Sequence, residues 1–271
     1  MARSPRPYPI QRALRAVAVV VTVASYALVG PLGYLLLTLW CLAPTRSPRR
    51  RALALQTLSF WAYRFLHAWL RVFRIARFDP ADVAFELPEG PFVLVANHQS
   101  SLDVTAIGAT FGPLFTIITP RVFHKRTLTR FLVGHGHIEG PGADPVSLNR
   151  AVEASVAQLE AGMSLKIFPE GTRSRDGRLL PFGRLAFEIA CRAQVPVLSV
   201  ATRCEPLWLS KDVGFLDPPH PAPKVTLEVL AVDEPSSFGT DSRALRQRVE
   251  ERFRAWSEGT RSASRPGSTV I

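Results

Sequence analysis

Several features are scarce or missing in this sequence of 271 residues. Its three cysteines, Cys41, Cys191 and Cys204, are too few for a disulfide framework and suit a reducing compartment such as the cytosol. No Gly-x-Ser-x-Gly segment is present, which disfavours a serine hydrolase built on a nucleophile elbow. There is also no internal repeat and no recognisable nucleic-acid-binding motif.

Acidic residues are outnumbered, because 22 Asp and Glu stand against 33 Lys and Arg, for a formal net charge of +11. A surplus of this kind can indicate nucleic acid as a partner. Here it accompanies a long apolar segment and no nucleic-acid motif. We therefore expect anionic membrane phospholipids, and no nucleic acid, as the partner of the basic surface.

Charge is absent altogether from Ala16 to Ala43. A helix needs about 20 residues to span a membrane, but Gly30-Pro31-Leu32-Gly33 interrupts the middle of this run. Each half alone is too short to cross, which leaves a kinked single span and a re-entrant hairpin as alternatives. Arginines flank both ends, which mildly favours placing both on the cytoplasmic side.

An aromatic and basic segment follows at residues 52–75. Arg64, Arg71 and Arg74 interrupt its apolar residues, which are Leu53, Leu58, Phe60, Trp61, Phe65, Leu66, Trp69, Leu70 and Phe73. This pattern predicts an amphipathic helix at the membrane interface; the alternative is a core helix packed on the next domain. We divide the chain into membrane-associated helices at 1–75, one domain at 76–258 and a disordered tail at 259–271.

The domain at 76–258 alternates between strand and helix patterns. Strands are predicted near 92–96, 114–118, 135–139, 164–168, 195–201 and 224–231. Helices are predicted at 101–110, 124–132, 146–161, 182–193 and 241–257. Such alternation is typical of an α/β fold with a mixed central sheet flanked by helices, here preceded by a membrane-embedded helical segment.

The first chemically informative motif is Asn97-His98-Gln99-Ser100-Ser101-Leu102-Asp103, directly after a short apolar strand. A histidine at the end of a buried strand, followed five residues later by a carboxylate, is a candidate general base with its orienting partner. Ser100 and Asp103 have the spacing of a capping box, and one turn of helix would bring Asp103 back toward the ring of His98. The alternative is a surface histidine beside an ordinary helix cap.

The second motif is Phe168-Pro169-Glu170-Gly171-Thr172-Arg173-Ser174, again at the end of a short apolar strand. Open α/β sheets bind ligands at this edge of the strands. Gly171 lets the backbone approach a ligand closely, and Arg173 offers a planar fork suited to phosphate or carboxylate. The alternative is an ordinary turn followed by solvated charges.

Together the two motifs resemble the glycerophospholipid acyltransferase family, and in particular its 1-acyl-glycerol-3-phosphate acyltransferase branch. That family is marked by Asn-His-x4-Asp and, further on, by Phe-Pro-Glu-Gly-Thr-Arg-Ser, and both stand here unaltered. The resemblance runs from about Phe92 to Thr202. It implies that His98 deprotonates the acceptor hydroxyl and that Asp103 orients His98. It also implies that Glu170, Gly171, Thr172 and Arg173 shape the acceptor site.

The resemblance further implies a thioester donor, either acyl-carrier protein or coenzyme A, and a lysophospholipid acceptor, above all 1-acyl-glycerol-3-phosphate. No cofactor or metal is expected, because a thioester is already activated. The expected location is the inner, cytoplasmic membrane, with the catalytic domain on the cytoplasmic side.

Three positions in two segments depart from the family pattern. Relatives carry an arginine that contacts the acceptor phosphate where this chain has Gly140. After the Pro181-Phe182 pair, the lysine and glycine of relatives are replaced by Gly183 and Leu185, with Arg184 between them. These changes leave the chemistry intact and make another acceptor an alternative, such as an aryl polyene or another lysolipid.

Two further alternatives come from other classes. His135, His137 and Glu139 would share one face of a strand and could form an open zinc site, although the matching family segment holds no metal. A lipid-binding membrane protein without catalytic activity is the other alternative. The intact His98, Asp103 and Glu170 argue against it.

Overall fold

The computed structural model describes residues 17–22, 24, 39, 47–118, 120–125, 129–214 and 218–263. Its strands are β1 (Val93–Ala96), β2 (Leu114–Ile118), β3 (Ile138–Glu139), β4 (Ser164–Ile167), β5 (Val197–Glu205) and β6 (Lys224–Asp233). Its helices are α1 (Pro48–Val72), α2 (Ser101–Phe111), α3 (Pro120–Phe123), α4 (Thr129–Gly134), α5 (Pro145–Glu160), α6 (Leu185–Ala193), α7 (Pro235–Phe238) and α8 (Ser242–Ala263). A short 3-10 helix lies at Pro80–Asp82.

The strands form one six-stranded sheet in the order β3-β2-β4-β1-β5-β6. All neighbouring pairs are parallel except β5 and β6, which run antiparallel. The mixed central sheet predicted from the sequence is therefore confirmed. Since β1 lies between β4 and β5, the chain segments that follow β1 and β4 emerge side by side at one edge of the sheet.

The two faces of the sheet carry separate apolar clusters. Val93 and Val95 point into the cluster that also includes residues of α5, α6 and α8, whereas Leu94 and Ala96 point into the cluster formed with α2. This alternation follows from the period of two along a strand. Because all four residues are fully buried, β1 forms a rigid floor beneath the residues that follow it.

Helix α1 packs closely on α2. A Cβ built on Gly108 would lie 2.5 Å from Cδ2 of Tyr63, so the absent side chain lets the ring of Tyr63 rest on α2. Two hydrogen bonds join the same pair of helices: His67 Nε2 lies 3.0 Å from Thr105 Oγ1, and Arg64 Nη1 donates to Ala109 O at 3.3 Å. The domain and α1 are thus held together by contacts on one side of α1.

Three predicted elements differ from the structure. The strand predicted at 135–139 is wrong over its first half, because Gly136 has a φ of +73° in a turn and only Ile138–Glu139 pair with β2. The helix predicted at 124–132 begins later, as α4 at Thr129, and residues 126–128 lie outside the described part of the chain. Helix α8 continues to Ala263, past Gly259, where the sequence predicts a tail.

The N-terminal prediction falls mostly outside the described residues, which include only 17–22, 24 and 39 of the apolar run. Among the residues that the structure describes, no helix is both long and apolar enough to cross a membrane. The amphipathic segment predicted at 52–75 lies almost entirely within α1.

We expect Gly108→Ala to destabilise the fold by about 1–3 kcal/mol, because the new Cβ would collide with the ring of Tyr63. The matched control is Gly259→Ala on α8, where nothing lies within 4 Å of the new Cβ. There the substitution should stabilise by up to about 1 kcal/mol through helix propensity. Denaturant unfolding of both variants measures the difference, and equal effects would show that the α1–α2 contact does not limit stability.

Candidate active site

Both motifs lie at the same edge of the sheet, because β1 and β4 are parallel neighbours. The chain leaves β1 through the buried Asn97, whose side chain pairs with the backbone of Thr202 on β5. Asn97 Nδ2 donates to Thr202 O at 3.0 Å, and Thr202 N donates to Asn97 Oδ1 at 2.7 Å. This two-point contact fixes the backbone immediately before His98.

Asp103 organises the turn that carries His98. It is fully buried, and its Oδ2 accepts hydrogen bonds from Gln99 N and Ser100 N, each at 2.7 Å. His98 Nδ1 lies 3.3 Å from the same oxygen. Ser100 and Asp103 form a capping box at the start of α2, where the positive end of the helix dipole favours a carboxylate.

The ring of His98 is held on two sides. Its Nδ1 faces Asp103, and its plane stacks on Phe168 with centroids 4.1 Å apart and an interplanar angle of 20°. An ionised carboxylate only accepts hydrogen bonds, so Nδ1 carries the proton and Nε2 has a free lone pair. The side chain of His98 is 14% exposed, which leaves Nε2 access to an adjoining cleft. The arrangement is that of an oriented general base.

Glu170 links the two motifs through hydrogen bonds to the backbone. Its Oε1 accepts from His98 N at 2.7 Å, and its Oε2 accepts from Leu180 N at 2.9 Å. Burial raises the pKa of Glu170 to about 7, while the two N–H donors oppose the rise and the negative charge of Asp103 adds to it. Both carboxylate oxygens of Glu170 are therefore committed to holding backbone in place.

The other three residues predicted for the acceptor site are placed differently from one another. Gly171 has a φ of +68° and lines the cleft beside His98, whereas Thr172 is exposed. Arg173 turns to the protein itself: its Nη1 donates to Ser101 Oγ at 2.8 Å, to Leu209 O at 2.7 Å and to Ser210 O at 3.1 Å. These bonds tie Arg173 to the start of α2, and its role in holding an acceptor phosphate stays a prediction.

The cleft beside His98 has a volume of about 410 Å³. Its walls are largely apolar and include Ile117, Gly140, Ile167, Phe168, Leu185 and Ala186. The three residues that depart from the family pattern, Gly140, Gly183 and Leu185, therefore all line the cleft. A Cβ on Gly140 would lie 3.0 Å from Ile118 O, so the close approach of the backbone to β2 leaves little room for a side chain.

Among the described residues, no lysine or arginine lines this cleft. Cations also occur in the sequence between β2 and β3. Lys125 is exposed, the side chain of Arg121 is not described, and Arg126 lies outside the described residues.

His135, His137 and Glu139 do not come together. His135 and His137 stack with centroids 5.5 Å apart, and His137 Nδ1 accepts a hydrogen bond from Thr116 N at 3.1 Å. Glu139 instead pairs with His124, whose Nε2 lies 2.7 Å from Glu139 Oε1. Burial lowers the pKa of His137 to about 3, so this ring is neutral.

Sequence reasoning missed three residues that shape the site. Phe168 belongs to the second motif, but the sequence analysis assigns its ring no role, and the structure shows that it forms the stacking surface for His98. Asn97 and Thr202 were not connected, because they lie 105 positions apart and meet only through the pairing of β1 with β5. The apolar pattern of the strands predicts neither the stacking of Phe168 on His98 nor the pairing of Asn97 with Thr202.

We expect Glu170→Gln to change the pH dependence of stability. Because the folded state favours the protonated form of Glu170, the wild type loses that stabilisation, up to about 3 kcal/mol, as pH rises from 4.5 through about 7. Glutamine does not titrate. The melting temperature of the wild type minus that of the variant should therefore be larger at pH 5 than at pH 8.

Thermal unfolding of both proteins from pH 5 to pH 9 checks this. Glu251→Gln, which removes an exposed carboxylate on α8, controls for the change in net charge. A difference that stays constant or grows with pH would contradict the expectation.

Comparisons with known proteins show which family the domain resembles. Residues 83–203 match the family model described as Acyltransferase. A 1-acyl-sn-glycerol-3-phosphate acyltransferase alpha from Mus musculus is 30% identical over 156 residues, covering 54% of this chain and 54% of that protein. A protein described as a putative 1-acyl-sn-glycerol-3-phosphate acyltransferase, from Caenorhabditis elegans, is 35% identical over 117 residues, 41% of this chain and 40% of its own length.

The chain thus spans from about two fifths to about half of the length of these curated relatives. Among solved structures, the 1-acyl-sn-glycerophosphate acyltransferase PlsC from Thermotoga maritima matches with a TM-score of 0.66 and 21% identity. That match covers 96% of this chain and 99% of PlsC, and it shows a shared fold. The family resemblance predicted from the two motifs is confirmed, and residues 83–203 form a domain of the Acyltransferase family.

Proposed function

We propose that this protein is a membrane-associated O-acyltransferase. It moves an acyl chain from an acyl-thioester, carried by coenzyme A or acyl-carrier protein, to a hydroxyl of a lysophospholipid. The expected acceptor is 1-acyl-glycerol-3-phosphate, which would give phosphatidic acid. The observation that carries the proposal is the pair His98–Asp103, oriented at the mouth of an apolar cleft within an Acyltransferase-family domain.

The chemistry follows from the orientation of His98. Nε2 takes the proton of the acceptor hydroxyl while the oxygen attacks the thioester carbonyl and forms a tetrahedral adduct. When the adduct collapses, the carbon–sulfur bond breaks, and the leaving thiolate takes the proton back from the imidazolium. Asp103 stabilises the imidazolium in between, at 3.3 Å from Nδ1. General-base action of this kind contributes roughly 10²–10⁴-fold in rate.

Preorganisation supports this role. The stack on Phe168 and the hydrogen bond from His98 N to Glu170 leave the imidazole little freedom to rotate or shift. A base fixed in this way pays little entropy when it meets the acceptor hydroxyl. Glu170 and Asn97 act in this scheme by positioning His98, since their polar groups are bonded to the backbone.

A specialised acceptor is the second candidate, such as an aryl polyene alcohol or another lysolipid. The observation that favours it is the tight backbone at Gly140, where relatives place a phosphate-binding arginine and this chain has little room for a side chain. A head group that needs no cation at this point would fit the largely apolar cleft. The transfer chemistry at His98 is the same for both acceptors.

Support for membrane association comes from α1. Its exposed apolar residues share one face, at the spacing of successive helical turns: Leu58, Trp61, Phe65 and Val72. The opposite side of α1 packs on α2, so this apolar face points away from the domain. We propose that it lies in the membrane interface, where aromatic side chains are favoured, and that a lysolipid reaches the site without its tail leaving the membrane.

We expect His98→Ala to lower turnover by about 10²–10⁴-fold without unfolding the protein. The assay uses purified protein in detergent, an acyl-thioester and a panel of lysolipid acceptors with and without a phosphate head group. His124→Ala, which removes an exposed histidine, is the control and should keep full activity.

The panel separates the candidates. Transfer to 1-acyl-glycerol-3-phosphate supports the first acceptor, and turnover confined to other alcohols supports the second. If wild type and His98→Ala both bind lipid and neither turns over any acceptor, the catalytic proposal is wrong and the protein is a lipid-binding one.

We expect Trp61→Glu and Phe65→Glu to weaken binding to vesicles of anionic phospholipid, because a charge on the exposed face of α1 opposes its burial in the interface. Co-sedimentation with vesicles measures the bound fraction. Val146→Glu, at an equally exposed position (67%, against 66% for Phe65) on the other side of the sheet, is the control. Equal losses in all three variants would show that α1 has no special part in membrane binding.

A further inference from the structure

A second cleft, of about 570 Å³, opens between α5 and α6. Leu148, Val152 and Leu185 give it an apolar floor, and Arg184 and Arg192 lie along its wall. A volume of this size is within the range of small-molecule sites. His98 and Asp103 are not among the residues that line this cleft.

This cleft adjoins the one beside His98. Gly183 and Leu185 line both of them. Gly183 N donates to Pro169 O at 2.8 Å, and a Cβ at this position would lie 3.2 Å from the same oxygen. The lack of a side chain therefore lets residue 183 pack against the carbonyl of Pro169 where the two clefts adjoin. A ligand that reaches from the second cleft to His98 would pass Gly183 and Leu185, which line both clefts.

The charged groups of the second cleft leave a net positive charge. Glu188 accepts from Arg192 Nε at 2.9 Å and from Ser242 Oγ at 2.9 Å, so Arg192 is well paired. Arg184 makes a longer contact with Glu188, 3.9 Å from Nη2 to Oε2, and its side chain is 58% exposed. Two guanidinium groups against one carboxylate make this wall complementary to a phosphate, with Arg184 as the more available donor.

We propose that the cleft between α5 and α6 binds the phosphate-bearing pantetheine arm of an acyl-coenzyme A donor. The proposal rests on the thioester-dependent transfer described above. Arg184 contacts a phosphate of coenzyme A, the arm lies along the apolar floor, and the thioester passes over Gly183 to reach His98. The acceptor then approaches His98 from within the first cleft.

The shape of the cleft decides between coenzyme A and a carrier protein as its occupant. Its cations lie in the wall of a concave site. A stable protein partner would instead need about 800 Å² of surface on each side. Coenzyme A brings its phosphates directly into such a cleft, so the small-molecule donor is the occupant to which we commit.

The experiment compares Arg184→Gln with Arg254→Gln. The two arginines are matched, because each side chain is 58% exposed and each has a glutamate four positions away along its helix. We expect Arg184→Gln to raise the KM for acyl-coenzyme A by about ten-fold, the effect of losing one charge-assisted contact. The KM for the lysolipid acceptor and kcat should change less than about two-fold. Arg254→Gln should leave all three unchanged.

A second measurement does not depend on turnover. Calorimetric titration of coenzyme A into the His98→Ala protein should give an affinity that Arg184→Gln weakens by a similar factor. Coenzyme A that binds as expected, in a protein that acylates no acceptor, would leave this cleft assignment standing and sink the proposed function.

Three results would overturn the assignment. One is an affinity for coenzyme A that Arg184→Gln does not change. Another is a rise in KM confined to acyl-carrier protein, and the third is a rise in the KM of the acceptor in place of that of the donor.

Discussion

The buried carboxylate of Asp103 is the interaction on which the site depends. One oxygen, Oδ2, faces three nitrogens of the chain immediately before α2: the ring Nδ1 of His98 and the backbone nitrogens of Gln99 and Ser100. The same contacts cap the helix and close the turn. The helix start and the orientation of the imidazole therefore form together, and removing the carboxylate would disturb both.

A second carboxylate ties this turn to the rest of the domain. Glu170 accepts from the backbone of His98 with one oxygen and from that of Leu180 with the other, so it spans the two motifs. This is geometrically available because β1 and β4 are parallel neighbours whose ends meet at one edge of the sheet. A carboxylate at this position is unfavourable in its charged form, because burial removes it from water and raises the pKa of Glu170 to about 7.

The arrangement divides the surface around His98 into parts with different chemistry. The apolar cleft with Gly140 and Leu185 suits a lipid acceptor, and the cleft between α5 and α6 adds guanidinium groups. The apolar face of α1 is held on the domain through Tyr63 and Gly108. In the proposed function, a soluble donor and a membrane-bound acceptor would approach His98 from different sides.

The sequence alone determined the α/β class, most element positions and the family, because these depend on local pattern and on two contiguous motifs. His98 and Asp103 could be paired from their spacing, since a capping box turns the carboxylate at the third helical position back toward the residues before the helix. Only the tertiary structure decided that Arg173 bonds to Ser101 and two carbonyls, that Asn97 meets Thr202, and that Phe168 stacks on His98. Those contacts join segments that are far apart in the chain. They depend on the order in which the strands pair, and that order cannot be read from the local sequence pattern.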